Sequence, residues 1–127
     1  MSPIIEVIIQ IKNGYMSGKE TIQSSYSKYR VALLEKLKTV GYIKSYDVEG
    51  DIVKTISIDL LYNDSVPVVN DVKIFSKPGR RWYVSVKELK PVLGGLGNAF
   101  ISTPKGILTN KEAKKVGVGG ELLFHIW

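Results

Sequence analysis

The chain has no cysteine among its 127 residues and a single histidine, His125. Without cysteine there can be no disulfide, no thiolate metal site and no cysteine nucleophile. One histidine excludes a multi-histidine metal site and leaves one position for a histidine-based triad. Apolar runs are only a handful of residues long, far below the ~18 that span a bilayer. We therefore expect no metal, no cofactor and no membrane partner.

Extremes of composition are missing as well. With 44% hydrophobic and 24% charged residues, the chain is neither disordered nor membrane-embedded. The first 20 residues contain Glu6 and Glu20, with neither an uncharged apolar core nor an Arg-rich transit face. We therefore expect that the chain is made where it works or that any targeting segment has already been removed. At ~100–200 residues per domain, the length allows one domain or two very small ones.

Acidic residues are scarce in the second half of the chain. Residues 1–64 hold eight Lys+Arg and eight Asp+Glu, whereas residues 65–127 hold ten and four, so the whole net charge of +6 lies in the second half. A one-sided basic half is typical of a protein with a polyanionic partner, and a solvated basic face is the alternative. The cations form two clusters along the sequence: Lys73, Lys77, Arg80, Arg81, Lys87 and Lys90, then Lys105, Lys111, Lys114 and Lys115.

Periodicity predicts an N-terminal α/β domain over residues 1–64. A first helix spans 3–16, with Ser2 as N-cap and Pro3 at the first helical position. A second helix spans 28–40, between the N-cap Ser27 and the terminating Gly41. We expect its buried stripe to consist of Tyr29, Leu33, Leu37 and Val40. Three strands are predicted over 21–26, 42–48 and 52–62. In the last strand, alternation predicts one buried face formed by Ile52, Ile56, Ile58, Leu60 and Tyr62.

Residues 65–127 are predicted to form a mainly β domain with short helices, so the fold class is α+β. Strands are expected over 72–76, 82–86, 98–103 and 122–127, and a short helix over 87–93. Pro78 and Gly79 suit the two central positions of a type II turn. Thr109 and Glu112 form a capping box that begins a second short helix, which Gly117 ends.

Few residues suggest catalysis. No serine lies in a nucleophile elbow, no carboxylate pair suits acid–base chemistry, and His125 has the pattern of a structural residue. Glycines at 94–97 and 117–120 lack the spacing of Rossmann and P-loop motifs. Gly94 to Gly97 does fit the G-x-x-G spacing of a KH-type backbone clamp, but turns are the simpler interpretation of both glycine clusters. We expect a binding module without a small-molecule substrate; a hydrolase or transferase using Ser102 or His125 is the alternative.

Basic and hydroxyl side chains beside turns favour RNA as the partner. Arg80 and Arg81 follow the Pro-Gly turn and precede Trp82 and Tyr83, which face opposite ways if they lie in a strand. Arginine binds phosphate in a bidentate manner and aromatic rings stack on splayed bases. Residues 102–106 offer hydroxyls, a cation and bare backbone within five positions, although an ordinary strand-ending loop has the same composition.

Several motifs together are similar to those of one family. They are Ser102-Thr103-Pro104-Lys105-Gly106-Ile107-Leu108-Thr109, Glu112-Ala113, Val118-Gly119-Gly120-Glu121-Leu122-Leu123, Ser76-Lys77-Pro78-Gly79-Arg80 and Tyr26-Ser27-Lys28. With these residues the chain resembles bacterial-type small-subunit ribosomal protein S8 over essentially its whole length. One departure is Pro104, where the family usually has serine; proline removes a hydroxyl and a backbone N–H, and with them one expected RNA hydrogen bond.

The resemblance implies a structural constituent of the small ribosomal subunit, in a bacterial cytoplasm, mitochondrion or plastid. It implies a primary binder that stabilises an irregular helix of the rRNA central domain during assembly. Neighbouring small-subunit proteins are implied partners, and so is the protein's own mRNA. Together with the basic and aromatic residues above, the expected RNA-binding positions are Ser102, Thr103, Lys105, Gly106, Gly119, Gly120, Glu121, Lys77, Arg80, Arg81, Tyr83, Lys12, Asn13, Ser27 and Lys28.

Overall fold

A computed structural model describes residues 3–127, which divide into two compact units, Pro3–Val69 and Asn70–Trp127. The first unit has two helices and a three-stranded sheet, and the second is mainly β with a short helix, so the predicted α+β class is confirmed. Residues 65–69 belong with the first unit because Val66–Pro67 pairs with Tyr62–Asn63. Ser2, the predicted N-cap, lies outside the described residues.

The N-terminal unit contains α1 and α2, a three-stranded antiparallel sheet and a small hairpin. The sheet has the order β1-β3-β2, with Ile22 and Tyr46 on either side of Ile58. The hairpin is formed by β4 and β5. The elements are α1 (Pro3–Met16), β1 (Thr21–Ser25), α2 (Lys28–Val40), β2 (Ser45–Glu49), β3 (Thr55–Asp59), β4 (Tyr62–Asn63) and β5 (Val66–Pro67).

Helix α2 begins and ends where the sequence predicts, but its buried stripe differs. Leu33 and Leu37 are fully buried as expected, whereas Tyr29 is 58% exposed and Val40 is 37% exposed. The stripe instead includes Arg30 and Leu34. Residues 30, 33, 34 and 37 follow the i, i+3, i+4, i+7 spacing of one helical face, so positions 29 and 40 lie at its edges.

Arg30 is a buried cation that ties α1, β1 and α2 together. Its Nε donates to the Pro3 carbonyl at 2.9 Å, and its Nη2 donates to the Glu6 carboxylate at 2.7 Å. Its Nη1 donates to the Ser24 hydroxyl at 2.9 Å, and to the carbonyl and hydroxyl of Ser25 at 3.0 and 2.6 Å. These bonds compensate for the desolvation of a guanidinium that is only 5% exposed.

Strand β3 alternates as predicted only over part of its expected length. Ile56, Ile58 and Leu60 are buried, but Ile52 is 97% exposed and lies before the strand. The loop between β2 and β3 closes tightly on Gly50, whose φ is +98° and whose missing Cβ would overlap the Val53 carbonyl. This tight loop removes residues 51–54 from the sheet, so the predicted strand over 52–62 is wrong at its beginning. It is also wrong at its end, because β3 stops at Asp59 and Tyr62 belongs to β4.

The C-terminal unit is built around one central strand. In the antiparallel sheet β6-β10-β8-β9, β10 also pairs with β7. The elements are β6 (Val72–Ile74), β7 (Tyr83–Val84), β8 (Asn98–Thr103), β9 (Gly106–Thr109), α3 (Asn110–Val116) and β10 (Gly120–Ile126). The predicted helix over 87–93 is wrong: short 3₁₀ turns form at Val86–Glu88 and Leu93–Gly95. Pro91 lacks the N–H that a continuous helix requires, and Gly94 and Gly95 have positive φ.

The central residues of this sheet are buried on both faces. On one face the Phe100 ring stacks on Phe124 at 5.0 Å, and on the other Ile101 and Leu122 pack with Ala113 of α3. The predicted capping box of α3 is confirmed, because the Thr109 hydroxyl accepts from the Glu112 N–H at 3.2 Å and the Glu112 carboxylate accepts from the Thr109 N–H at 3.0 Å.

Candidate nucleic-acid interface

Most predicted RNA contacts of the C-terminal unit gather at one end of its sheet. Strand β10 begins at Gly120 and Glu121, and β10 is antiparallel to β6, β7 and β8. The beginning of β10 therefore lies beside the ends of its neighbours: Glu121 is opposite Ser102 at the end of β8 and opposite Tyr83 of β7. We call this end, comprising residues 76–81, Tyr83, 102–106 and 119–121, the turn surface.

The first part of the turn surface is the hairpin between β8 and β9, with Pro104 and Lys105 at its tip. Thr103 lies opposite Gly106, and its hydroxyl donates to the Gly106 carbonyl at 2.8 Å and accepts from the Lys105 N–H at 3.1 Å. Gly106 has φ +101°. The Thr103 proton is thus already used within the hairpin, so toward RNA this hydroxyl can only accept. Lys105 is exposed and extends from a turn that its neighbours hold in place.

The second part is the turn at residues 77–80. The backbones of Lys77 and Arg80 exchange hydrogen bonds of 3.0 and 2.9 Å, and Gly79 has φ +79°, as a type II turn requires. The buried Ser76 hydroxyl donates to the Leu122 carbonyl at 2.7 Å and accepts from the Trp82 N–H at 3.0 Å. Ser76 therefore fixes the base of this turn to β10, and its cations extend from a rigid support.

Between these turns a row of side chains crosses the sheet. Tyr83, Glu121 and Ser102 are directly opposite one another on three adjacent strands and so share a face. Tyr83 is 69% exposed. Arg81 donates to the Glu121 carboxylate at 3.1 Å. The row therefore combines an exposed ring, a hydroxyl, and an ion pair that holds the guanidinium of Arg81 beside the surface.

Gly119 and Gly120 have a steric reason to be glycine. A Cβ at Gly120 would overlap the Ser102 carbonyl oxygen, and one at Gly119 would overlap the Val84 carbonyl oxygen. Neither has positive φ, so the close approach of neighbouring strands is what requires glycine here. These two residues allow β7, β10 and β8 to come together at the turn surface; a backbone contact from them to RNA stays a prediction.

The four predicted contacts of the N-terminal unit lie in two pairs, one at the beginning of α2 and one in the second half of α1. Ser27 caps α2 by accepting from the Tyr29 N–H at 3.2 Å, and the Lys28 ammonium lies 5.3 Å from the Tyr29 ring. Arg30, one turn further on, is bonded to the beginning of α1. Lys12 and Asn13 lie further along α1, about 9 Å beyond Glu6 at 1.5 Å per residue.

The two residues considered for catalysis are on opposite faces of the sheet. His125 is opposite Ala99 and Ser102 is three positions further along the same strand, so their side chains point to opposite sides. The His125 ring packs on Phe75 at 4.5 Å. Burial, and then the nearby Lys73, lower the pKa of His125. Among residues 3–127 no group of three metal-ligating side chains occurs, and no helix in that range could cross a membrane.

Sequence reasoning treated Lys73 to Lys90 as one basic cluster, and the structure divides it. Lys77, Arg80 and Arg81 belong to the turn surface, whereas Lys87 and Lys90 line a cleft on the face that contains His125. Strand alternation predicts that Trp82 and Tyr83 point in opposite directions. The structure agrees, because Trp82 lines the cleft and Tyr83 belongs to the row.

Comparison with known proteins identifies the family. The sequence pattern described as Ribosomal protein S8 matches residues 2–127. The chain belongs to the ribosomal protein S8 family. The small ribosomal subunit protein uS8 of Dictyoglomus thermophilum is 48% identical over 126 residues, covering 98% of this chain and 96% of that protein. The proteins of the same name from Mycoplasma mobile and Pseudomonas fluorescens are each 40% identical, covering 98% of this chain and 95% and 96% of theirs.

S8 membership confirms the resemblance that the motif residues indicated. In this S8 chain the residues that carry the resemblance most strongly, 102–109 and 118–123, are the ones that build the β8–β9 hairpin and its junction with β10. Pro104, which departs from the family pattern, occupies the second position of that hairpin turn, where proline is favoured. The departure is therefore compatible with the local backbone.

Proposed function

We propose that this chain binds small-subunit rRNA directly, at an irregular helix of the central domain, and holds that helix in its assembled shape. Membership of the S8 family makes it a structural component of the small ribosomal subunit. The observation that carries the proposal is the convergence of Lys105, Arg80, Glu121 and Ser102 at one end of a sheet in the basic unit.

The turn surface suits an RNA that departs from regular A-form geometry. Side chains cannot read the deep, narrow major groove of regular A-form RNA, so proteins recognise shape, unpaired bases and 2′-hydroxyls. Here Lys105 and Arg80 supply phosphate contacts, while Ser102 and Tyr83 supply a hydroxyl and a stacking ring. A protein that binds only the folded RNA stabilises it by linkage, which promotes assembly.

The same proposal defines the expected partners and location. The chain acts within the ribosome beside neighbouring small-subunit proteins, as the names of its bacterial relatives support. An element of its own mRNA that mimics the rRNA helix is a second proposed ligand. The proposed role requires no catalysis, and the separation of Ser102 from His125 on opposite faces supports that.

Salt dependence of binding tests the phosphate role of Lys105. Full-length protein is titrated with a central-domain rRNA fragment by filter binding at several salt concentrations. We expect Lys105→Ala to reduce the slope of log K against log salt by ~0.7–0.9, the value for one phosphate contact. The control is Lys38→Ala, an exposed lysine in the last turn of α2, which should leave the slope unchanged. An unchanged slope for Lys105→Ala would remove it from the interface.

A free-standing regulatory RNA-binding protein is the competing function, because it would use the same surface. It would bind an mRNA element and would not co-sediment with small ribosomal subunits. Co-sedimentation of the tagged chain with small subunits at moderate salt, lost when the turn surface is altered, supports the ribosomal role. Tight binding to an mRNA element without co-sedimentation would instead favour the regulatory function.

A further inference from the structure

The face of the C-terminal sheet opposite the Tyr83–Glu121–Ser102 row contains a cleft of about 500 Å³. This volume lies within the range of ~300–1,000 Å³ typical of ligand sites. Its floor is apolar, formed by Leu89, Ala99 and Leu122. Because Ser102 and Ala99 point to opposite faces of β8, this cleft is distinct from the row on the turn surface.

One wall of the cleft is aromatic. The Trp82 indole is 46% exposed, and its ring centroid is 5.5 Å from that of Phe75 in an edge-on arrangement. Phe75 in turn contacts the His125 ring at 4.5 Å. The Trp82 backbone is fixed at both ends, since its N–H donates to Ser76 and its carbonyl accepts from the Leu122 N–H at 2.7 Å. The chain thus holds a large, partly exposed indole on a rigid backbone.

The cleft residues carry more positive than negative charge. Lys87 and Lys90 line the cleft, and Glu88 is the one acidic residue in its described lining. The Glu88 carboxylate accepts a hydrogen bond from the Ser85 N–H at 2.9 Å, which lowers the pKa of Glu88. Its negative charge is therefore partly compensated by its own turn. Burial lowers the pKa of His125, another lining residue, which favours the uncharged form of its ring.

We propose that the Trp82 cleft receives an unpaired nucleotide of the bound RNA, with its base against the Trp82 indole and its phosphates near Lys87 and Lys90. The aromatic wall and the apolar floor suit a base, and the cationic edge suits the phosphates beside it. Base–aromatic stacking is worth ~1–3 kcal/mol per base in single-strand binders. The proposal rests on the proposed function, because it extends the RNA contact from the turn surface to the opposite face of the sheet.

Tryptophan fluorescence tests this directly. The chain has two tryptophans, so Trp127→Phe leaves Trp82 as the only indole. This variant is titrated at low salt with a single-stranded tetraadenylate, and with an abasic tetranucleotide that has the same phosphates. We expect saturable quenching by the tetraadenylate and none by the abasic chain. Absence of quenching, or equal quenching by both, would overturn the proposal.

Substitutions in the cleft provide the second readout. In the Trp127→Phe background, Lys87→Ala and Lys90→Ala should each weaken tetraadenylate binding several-fold, whereas Lys114→Ala, an exposed lysine of α3 outside the cleft lining, should not. Trp82→Leu lacks the fluorescent indole, so its affinity for the central-domain rRNA fragment is measured by filter binding. We expect it to bind at least about 5-fold more weakly, because one stacked base is lost.

An acidic peptide is the alternative ligand. If hexaglutamate displaces the tetraadenylate and Trp82→Leu binds the rRNA fragment normally, the cleft is a peptide site and the proposal is overturned.

The rRNA measurement separates the two proposals. If the unsubstituted chain binds the rRNA fragment and Trp82→Leu binds it equally well, the cleft proposal fails and the turn surface stands. If the unsubstituted chain does not bind the fragment at all, the proposed function fails, whatever the tetraadenylate does.

Discussion

The two units of this protein use their cations in opposite ways. In Pro3–Val69, eight basic residues balance eight acidic ones, and Arg30 lies in the interior with its guanidinium bonded to three elements. In Asn70–Trp127, ten basic residues face four acidic ones, and Lys105 and Arg80 lie exposed at turns. The same residue types therefore stabilise the fold in one unit and form the proposed RNA-binding surface in the other. Burial and partners distinguish these roles, and counting charges does not.

The largest expected effect is loss of the buried cation. Arg30→Met removes the donor to Ser24, Ser25, the Pro3 carbonyl and Glu6, whose own side chain is 48% exposed. A hydrogen bond to a charged group contributes ~1.5–3 kcal/mol, so the loss of several of them should cost ~3 kcal/mol or more. We expect the urea unfolding midpoint to fall accordingly. Arg80→Met, the matched change at an exposed turn, should change stability by less than ~0.5 kcal/mol. Equal effects at the two positions would abolish the contrast between the units.

The next effect concerns the close approach of strands at the turn surface. In Gly120→Ala the new methyl group would overlap the Ser102 carbonyl oxygen. Because this oxygen belongs to the backbone of a paired strand and cannot move freely, we expect the free energy of unfolding to fall by ~1–3 kcal/mol or more. Gly117→Ala is the control: it has φ +84° and open space around it, and should cost roughly 1 kcal/mol from backbone conformation alone. Thermal unfolding of both variants measures the difference, and a smaller loss for Gly120→Ala would show that the strands separate easily.

A smaller effect is expected at the tip of the β8–β9 hairpin. Pro104→Ser restores a hydroxyl and a backbone N–H, and we expect tighter binding of the rRNA fragment by up to about tenfold, the worth of one net hydrogen bond. Stability should fall by ~0.4–1 kcal/mol, because proline limits the unfolded chain. Affinity is measured by filter binding beside Pro104→Ala, which has the N–H without the hydroxyl. Unchanged affinity in Pro104→Ser would show that this chain does not use that bond.

The smallest expected effect is a pH dependence from His125. Burial lowers the pKa of His125 in the folded chain below its ordinary value of 6.5, so near that pH the unfolded chain binds more protons. The contribution of uncharged His125 to the free energy of unfolding is therefore fully present above about pH 6.5, and it is lost as the pH falls below that value. Urea midpoints between pH 8 and 5.5 should fall for the unsubstituted chain and less for His125→Phe. A steeper fall in His125→Phe would mean that the sign is wrong.

Local sequence rules predicted much of the fold. Caps and stops such as Ser27, Gly41 and Thr109 lie where the helices begin and end, because these signals act through the adjacent backbone. The predictions failed where distant partners decide. Ile52 has the alternation of a strand, but the tight turn at Gly50 removes it from the sheet, and Tyr29 is exposed because the face containing Arg30 is the buried one.

The candidate site was predictable as a set of residues and not as a surface. Motif resemblance named Lys105, Arg80 and Glu121, but only strand pairing places them at one end of β10. The opposite orientation of Trp82 and Tyr83 follows from strand alternation, which is visible in the sequence, whereas Lys87 lies in a 3₁₀ turn that alternation does not describe. The cleft itself depends on residues from positions 82 to 125, and no local pattern brings those together.

The most direct test of the turn surface is UV cross-linking of the full-length chain to small-subunit rRNA, followed by mass spectrometry of the cross-linked peptides. If the turn surface binds this RNA, cross-links should form within both residues 76–81 and residues 102–106, on RNA of the central domain. Cross-links that avoid both segments, with the chain still bound to the rRNA, would contradict this interface.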